Sequence, residues 1–352
     1  MSDIKCLVKN VYERLNEGRA EGESFESYLC ELLDEYQAMV LDLDPQLVTE
    51  KVKEEIASPI RIIKEVLGLY SSARVAQSIL KLQDYIKNSG DNLLEITISV
   101  GQVEDRYWYR MRMQEPHSKI FPAQQMFHIP FNQRGKVNTQ RYSLPGYPCL
   151  YVSRSVWAAW EEMHEPKLAD FCVSRLELQS DIKVLDLRMV SSEEIDQLDV
   201  VRLLCTFPLI IACSVKTLNP DDNFKPEYII PQLVMLSIVE SEKYNGCAYT
   251  STQKNPFFVD WKDIRLLDNL ALPVEKISEK MDLCKKLCGC FKVTDATNYE
   301  YELLKGSFKT IHIDYCENTG TLNLDDQNKE YSKSIFGQLE KILKSKETRP
   351  LI

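Results

Sequence analysis

Three residues in one short stretch have the types and spacing to handle an anionic ligand: Arg141, Tyr151 ten positions on, and Glu162 eleven further. An arginine forks two hydrogen bonds onto phosphate oxygens, which a lysine does less well. A carboxylate stabilises positive charge developing at a reacting carbon. A tyrosine between them offers a ring and a hydroxyl. The combination suits an anionic, nucleotide-like ligand.

The elements that must position these residues follow from the stretch Met126 to Glu162. A basic, polar loop leads into Leu144-Pro145-Gly146, where Pro fixes φ and Gly permits φ > 0, so a tight turn is predicted. The apolar, β-rich run Cys149-Leu150-Tyr151-Val152 predicts a strand. Ser155 is placed to cap a helix, with Glu162 two turns into it. Glu161 is the neighbouring alternative. Glu162 lies on an otherwise apolar helix face with Ala158 and Ala159 close by; a buried glutamate is costly without a partner, so its burial would argue for a role. Trp157 and Trp160 read as core residues.

The run Gln140-Arg141-Tyr142-Ser143, then Pro145-Gly146-x-Pro148-x-Leu150-Tyr151, Ser155, Ala159 and Glu162 resembles the core of the RES domain family. Upstream, Tyr109-Arg110 is similar to the aromatic–arginine pair of the family's first strand. Downstream, Tyr244-Asn245-Gly246-Cys247-Ala248-Tyr249-Thr250-Ser251 is similar to the segment carrying the name-giving serine. The likeness covers residues 105–265 or so. It departs from the family at Gln140, where a glycine is usual, and at Tyr142-Ser143, where Trp-Asn is usual.

The resemblance implies an ADP-ribosyltransferase-like fold, a small split β-sheet core flanked by helices with NAD+ in a cleft. It implies cleavage of the nicotinamide–ribose bond of NAD+, which is a substrate here, with no metal. Arg110 and Arg141 would hold the diphosphate, with Arg112 and Arg134 as competitors. Tyr151 would orient the nicotinamide ribose. Glu162 would hold the ribose hydroxyls and stabilise the oxocarbenium-like transition state, and Ser251 would offer a hydroxyl, with Thr250 one residue away. The acceptor is open: water, inorganic phosphate or a protein side chain, giving a hydrolase, a phosphorylase or a protein ADP-ribosyltransferase. Family members act as bacterial toxins blocked by a bound antitoxin. From another class, the altered loop and the long helical appendage allow a non-catalytic binding module.

At 352 residues the chain is long enough for two domains. A net charge of −10, from 53 acidic and 43 basic residues, argues against a broad nucleic-acid footprint. It leaves room for a local basic pocket. No stretch approaches the ~20 apolar residues of a membrane span, and the charged opening MSDIKCLVKNVYERL lacks the apolar core of a signal peptide. The expected location is therefore cytoplasmic. The eleven scattered cysteines read as reduced, mostly buried thiols. The cluster Cys284, Cys288, Cys290 lacks the spacing of a common zinc finger. His128, between Phe127 and Ile129, reads as a satisfied histidine in a half-buried strand rather than a general base.

The chain as a whole reads as α+β. Residues 1–90 read as an N-terminal helical domain of three or four helices, a structural or partner-binding appendage, or one that docks an antitoxin-like partner or an identical subunit. Ser24 opens a helix, Pro45 a short third segment, and Pro59 a fourth helix running to Asn88-Ser89-Gly90. Residues 91–352 form the RES catalytic domain with a C-terminal extension. Alternation predicts strands over 94–100 and 105–113, the second with Tyr107, Tyr109 and Met111 on one face and Trp108, Arg110 and Arg112 on the other. Further strands are predicted over 171–178, 183–187, 246–251, 257–259, 291–293, 299–303 and 310–314. Helices are predicted over 193–216 with a break at Pro208, and over 228–239, 278–287 and 333–343.

Overall fold

A computed structural model describes residues 2–46, 48–89, 92–115, 118–253, 264–275, 282–307 and 331–351. The fold is α+β, and the chain divides into two compact units. The first takes residues 1–96, 137–147 and 183–257; the second takes 97–136, 148–182 and 258–352. The N-terminal helices thus share a unit with two later segments. The predicted strands at 257–259 and 310–314 lie outside the described residues, as do His117, His312 and Cys316.

The first unit opens with four helices: α1 (Ser2–Glu17), α2 (Phe25–Leu41), α3 (Glu50–Ser71) and α4 (Val75–Asn88). Ser24 caps α2 as its position predicts, accepting from the Ser27 N–H. Pro59 lies inside α3 rather than opening a helix, because Thr49 has already capped the start. The stretch predicted as one helix to residue 88 breaks at Ala73, which adopts φ +60°. After the strand β1 (Glu95–Ile98), the second unit begins with β2 (Tyr107–Met113). It continues with β3 (Cys149–Ser153), α5 (Val156–Glu162) and β4 (Phe171–Leu178).

The chain then returns to the first unit with β5 (Ile182–Leu187), α6 (Ser192–Ile195), α7 (Val200–Ser214), α8 (Ile229–Ser241) and β6 (Cys247–Thr250). The predicted long helix from 193 breaks near 196–199, not at Pro208. Asp199 is the cause: its carboxylate accepts from the N–H groups of Val201 and Arg202 and starts α7 afresh. The second unit closes with β7 (Asp268–Pro273), α9 (Lys285–Cys290), β8 (Phe291–Val293), α10 (Tyr299–Leu304) and α11 (Ile335–Ser345). Residues 299–303, predicted as a strand, form a helix because Asn298 caps them through the Tyr301 N–H.

In the first unit β1, β5 and β6 lie in that order, with β5 and β6 parallel. The helices pack around α7, which is buried along nearly its whole length. Pro208 in its middle has no N–H, so the carbonyl four residues back, on Leu204, loses its helical partner. The buried hydroxyl of Tyr36 donates to that carbonyl at 2.7 Å, and the Tyr36 ring packs 5.4 Å from Phe207.

In the second unit the strand order is β7-β3-β2-β4-β8, every neighbouring pair antiparallel. Helix α5 packs on one face of this sheet, and Val156, Trp157, Ala158 and Trp160 meet Tyr109, Met111, Phe171 and Val173. Helix α11 closes the cluster with Phe336, Leu339 and Leu343. Both tryptophans are core, as expected.

The Tyr36 contact has a direct test. Tyr36→Phe leaves a buried carbonyl without a donor and should cost about 1–3 kcal/mol in urea unfolding. Adding Pro208→Ala restores the N–H to Leu204 and should recover most of that loss. Equal stabilities for the single and double variants would show that the hydroxyl does not serve this carbonyl.

Candidate functional site

Each unit carries part of the residue set that the sequence singles out. In the first unit the loop of residues 137–147 is built as predicted. Gly146 has φ +80°, Pro145 precedes it, and the Tyr147 N–H donates to the Leu144 carbonyl at 3.0 Å. Gln140 and Ser143 exchange two backbone hydrogen bonds of 3.0 and 3.1 Å, which puts Arg141 and Tyr142 at the tip of a tight turn. Gln232 on α8 pins this turn, donating to Thr139 Oγ1 and to the carbonyls of Gln140 and Ser143 at 2.9–3.2 Å. The Tyr142 ring is buried against Tyr249 of β6, with centroids 4.7 Å apart.

Arg141 is buried and directed into its own unit. Its Nη1 donates to the carbonyls of Cys213 and Val215 at 3.1 and 3.0 Å, and its Nη2 to Thr252 Oγ1 at 2.8 Å. The two carbonyls lie at the C-terminal end of α7, where helix carbonyls lack partners and a cation is favoured. The Tyr228 ring lies 5.1 Å from the guanidinium carbon. Three of the five N–H donors of an arginine are thus spent on the protein. Ser251 is buried beside Thr252 at the end of β6. Thr250 accepts from the Met189 N–H, a structural bond.

In the second unit, strand pairing fixes which side chains share a face. Ser153 of β3 pairs with Tyr109 of β2 and Asn269 of β7, and Tyr151 pairs with Ala271. Directly paired residues share a face, so Tyr109, Tyr151, Ser153 and Asn269 lie on the α5 side. Arg110 and Arg112 lie on the opposite face. Arg110 Nη1 donates to the Tyr151 carbonyl at 3.0 Å.

Helix α5 delivers its carboxylates from a fixed start. Ser155 Oγ accepts from the Ala158 N–H at 2.9 Å, and Glu340 Oε1 of α11 accepts from the Val156 N–H at 2.9 Å. The buried glutamate proves to be Glu161, at 2% exposure. Its carboxylate accepts from Trp157 Nε1 at 2.7 Å, so its burial has a structural explanation. Glu162, the last residue of α5, is partly exposed and accepts from Asn269 Nδ2 at 3.0 Å. The buried Asn269 amide also donates to the Leu267 carbonyl, which fixes which end faces Glu162. The short, mixed run Asp268–Pro273 carries no clear strand signal, so the sequence gives Asn269 no place beside the site.

The opposite face of β2 opens onto a cavity of about 900 Å³. Arg110, Arg112, Lys136 and Lys285 line it, with Phe127, His128 and Ile129 in its wall. Burial, with the Arg112 charge beside it, pulls the Arg110 guanidinium down to about 10, which leaves it charged at neutral pH. The Arg112 guanidinium carbon lies 4.5 Å from the Phe121 ring centre, and its Nη1 donates to the Gln125 carbonyl. Arg134 stacks on Phe131 instead.

His128 is buried in a bend, not a strand. Its Nδ1–H donates to the Ile129 carbonyl and its Nε2 accepts from the Cys284 N–H, both at 2.9 Å. Both ring nitrogens are used by backbone, and burial pulls the imidazole down to about 4. A neutral ring in one fixed tautomer is a wall residue, not a proton shuttle. Every described cysteine is a free thiol. Among the described residues no group of three His, Cys, Asp or Glu side chains is placed to hold a metal ion. Among them, no helix is long and apolar enough to cross a membrane.

No family model and no solved structure matches the chain. A protein of Bacillus subtilis (strain 168) named "Putative toxin YopC" is 32% identical to it over 252 residues. That match covers 66% of this chain and 55% of the relative, so the chain spans little more than half the relative's length.

The histidine gives the site a pH signature. Its folded value lies below the ordinary 6.5, so the unfolded chain binds the proton more readily. Stability is therefore complete above pH 6.5 and falls as the pH drops toward 4, by up to about 3 kcal/mol from this residue. His128→Gln should be less stable at pH 7.5 yet show a shallower loss between pH 6.5 and 4 in denaturant titrations.

Proposed function

We propose that this chain is a toxin-like, NAD+-consuming enzyme of RES type that cleaves the nicotinamide–ribose bond. The observation that carries the reading is Glu162: a partly exposed carboxylate at the end of a doubly capped helix, held by the amide of Asn269. The match to a relative named as a toxin supports the broad class. The RES-like motifs supply the substrate and the expected ADP-ribosyltransferase-like frame.

In this reaction the bond from the ribose anomeric carbon to the nicotinamide nitrogen breaks. Its electron pair leaves with nicotinamide and neutralises the ring's positive charge. Positive charge builds at the anomeric carbon, and a fixed carboxylate stabilises it electrostatically. Water then forms the new bond to carbon and loses its proton to solvent, giving ADP-ribose; inorganic phosphate in its place gives the phosphorylated product. Glu162 is assigned the stabilising role. Asn269 positions it by donating to one carboxylate oxygen. Tyr151 is assigned to the ribose, and Arg110 supports it through the strand carbonyl. The phosphate-binding roles of Arg141 and Ser251 rest on the RES-like motif alone. A toxin of this kind calls for a protein antitoxin as its partner.

One observation favours a second reading, a non-catalytic module on the same frame. Arg141 spends most of its donors on α7 and Thr252. One assay separates the two. Purified protein is incubated with NAD+, with and without phosphate, and the products are resolved by chromatography. Glu162→Gln should cut nicotinamide release by about 10²–10³-fold with an unchanged melting temperature. Wild-type protein that releases no nicotinamide under either condition, or a variant as active as the wild type, would sink the enzymatic reading.

A further inference from the structure

The start of α5 is completed by a residue from outside the stretch that is similar to the RES domain. That likeness ends near residue 265, whereas Glu340 belongs to α11. Its carboxylate is buried, at 8% exposure, against the first residue of α5. Oε1 accepts from the Val156 N–H at 2.9 Å and from the Tyr331 hydroxyl at 2.5 Å. An anion is favoured at that end of a helix, where N–H groups have no helical acceptor. A carboxylate is otherwise costly to bury, and the two donors satisfy it.

The arm that carries Glu340 is itself firmly seated. Phe336, Leu339 and Leu343 enter the core cluster with α5, and the Phe336 ring lies 5.1 Å from that of Trp160. Ser334 Oγ accepts from the Gly337 N–H at 3.1 Å and donates to the Tyr331 carbonyl at 2.7 Å. Gly337 lies so close to that carbonyl that a Cβ there would collide with it. The turn at Tyr331 therefore rests directly on the backbone of α11, which aims its hydroxyl at Glu340.

The same end of α5 is tied to Asn269. Ser155 Oγ donates to the Leu266 carbonyl at 2.7 Å while it accepts from the Ala158 N–H. Asn269 Nδ2 donates to the Leu267 carbonyl at 3.3 Å and to Glu162 Oε1 at 3.0 Å. Helix α5 has seven residues, too few to hold together alone, so a shift of its first turn is passed on to Glu162 at its last.

We infer that Glu340 is a positioning residue for the candidate site: held by Tyr331, it locks the start of α5 and so sets where Glu162 stands against Asn269. This role rests on the NAD+ reading, because it acts through the same carboxylate. It makes the C-terminal helix a working part of the site, although α11 lies beyond the RES-like motifs.

Nicotinamide release by the full chain tests it. The rate constant kcat and KM are measured separately for wild type, Glu340→Ala, Glu340→Gln and Tyr331→Phe, each well below its own melting temperature. Glu162 acts on charge that appears only in the transition state, so displacing it lowers kcat and spares KM. Misplacing a catalytic group by about 1 Å can cost on the order of 10²-fold, so Glu340→Ala should lower kcat by about 10–10²-fold with KM within about twofold. Glu340→Gln keeps an oxygen that both donors can reach, and should return kcat to within about threefold of wild type. Tyr331→Phe removes one of the two donors and should fall between the others. A lower melting temperature in Glu340→Ala with kcat unchanged would assign Glu340 to stability alone and overturn the role. So would a loss confined to KM, or an equal loss of kcat in the alanine and glutamine variants. Should Glu340→Ala fail to fold, Tyr331→Phe decides: a lower kcat at constant KM upholds the role, and an unchanged kcat overturns it. Wild-type protein that releases no nicotinamide strikes the NAD+ reading itself, and the positioning role falls with it.

Discussion

A β-strand cannot choose where its side chains go: successive residues point to opposite faces. Strand β2 uses this constraint to serve two environments at once. Tyr109 and Met111 seal the core under α5, while Arg110 and Arg112 stand on the face that opens to the cavity. A slip of one residue in its pairing would bury two guanidinium groups beneath α5 and turn two core side chains to water. Seven paired positions with β4 hold the register against that slip. The placement of every other group in the second unit is measured from this strand, through Ser153 to β3 and Asn269 to β7.

The first unit depends on a different economy, the satisfaction of stray carbonyls around α7. Pro208 frees the carbonyl of Leu204 in mid-helix, and Tyr36 meets it. At the helix end Arg141 meets those of Cys213 and Val215. Burial pushes the neighbouring Cys213 thiol up to about 12, so it stays protonated beside the guanidinium. The loop carrying Arg141 is in turn pinned through Gln232. Tertiary contacts thus supply the donors and acceptors that this helix cannot find along its own axis.

Much of the local architecture was legible in the sequence because it rests on short-range rules. The Leu144-Pro145-Gly146 turn, the Ser155 cap, the strand through Tyr151 and the two faces of β2 each need only a few neighbouring residues. What was not legible depends on distant partners. Pro208 looks like a helix breaker until Tyr36, far away in sequence, is seen at its orphaned carbonyl. Glu161 and Glu162 are indistinguishable by spacing, and only the packing shows Trp157 claiming one and Asn269 the other. Asn269 lies in DNLALP, too short and mixed a run to announce itself as a strand. Tyr299 to Leu303 alternates aromatic and acidic residues like a strand, yet the Asn298 cap decides for a helix. Whether Arg141 faces a ligand or its own fold is likewise set by Thr252 and α7, not by its motif.

The N-terminus of α5 is completed by Glu340, which arrives from the far end of the sequence to accept the Val156 N–H and the Tyr331 hydroxyl. Translation therefore makes the helix that carries Glu162 long before it makes the residue that secures it. Until residue 340 has been synthesised and α11 has docked, α5 is a seven-residue helix with one of its two caps, too short to hold together alone. A chain still on the ribosome, or one released early by a premature stop, lacks the contact that fixes its carboxylate. The order of synthesis itself thus sets a delay between making α5 and fixing its carboxylates.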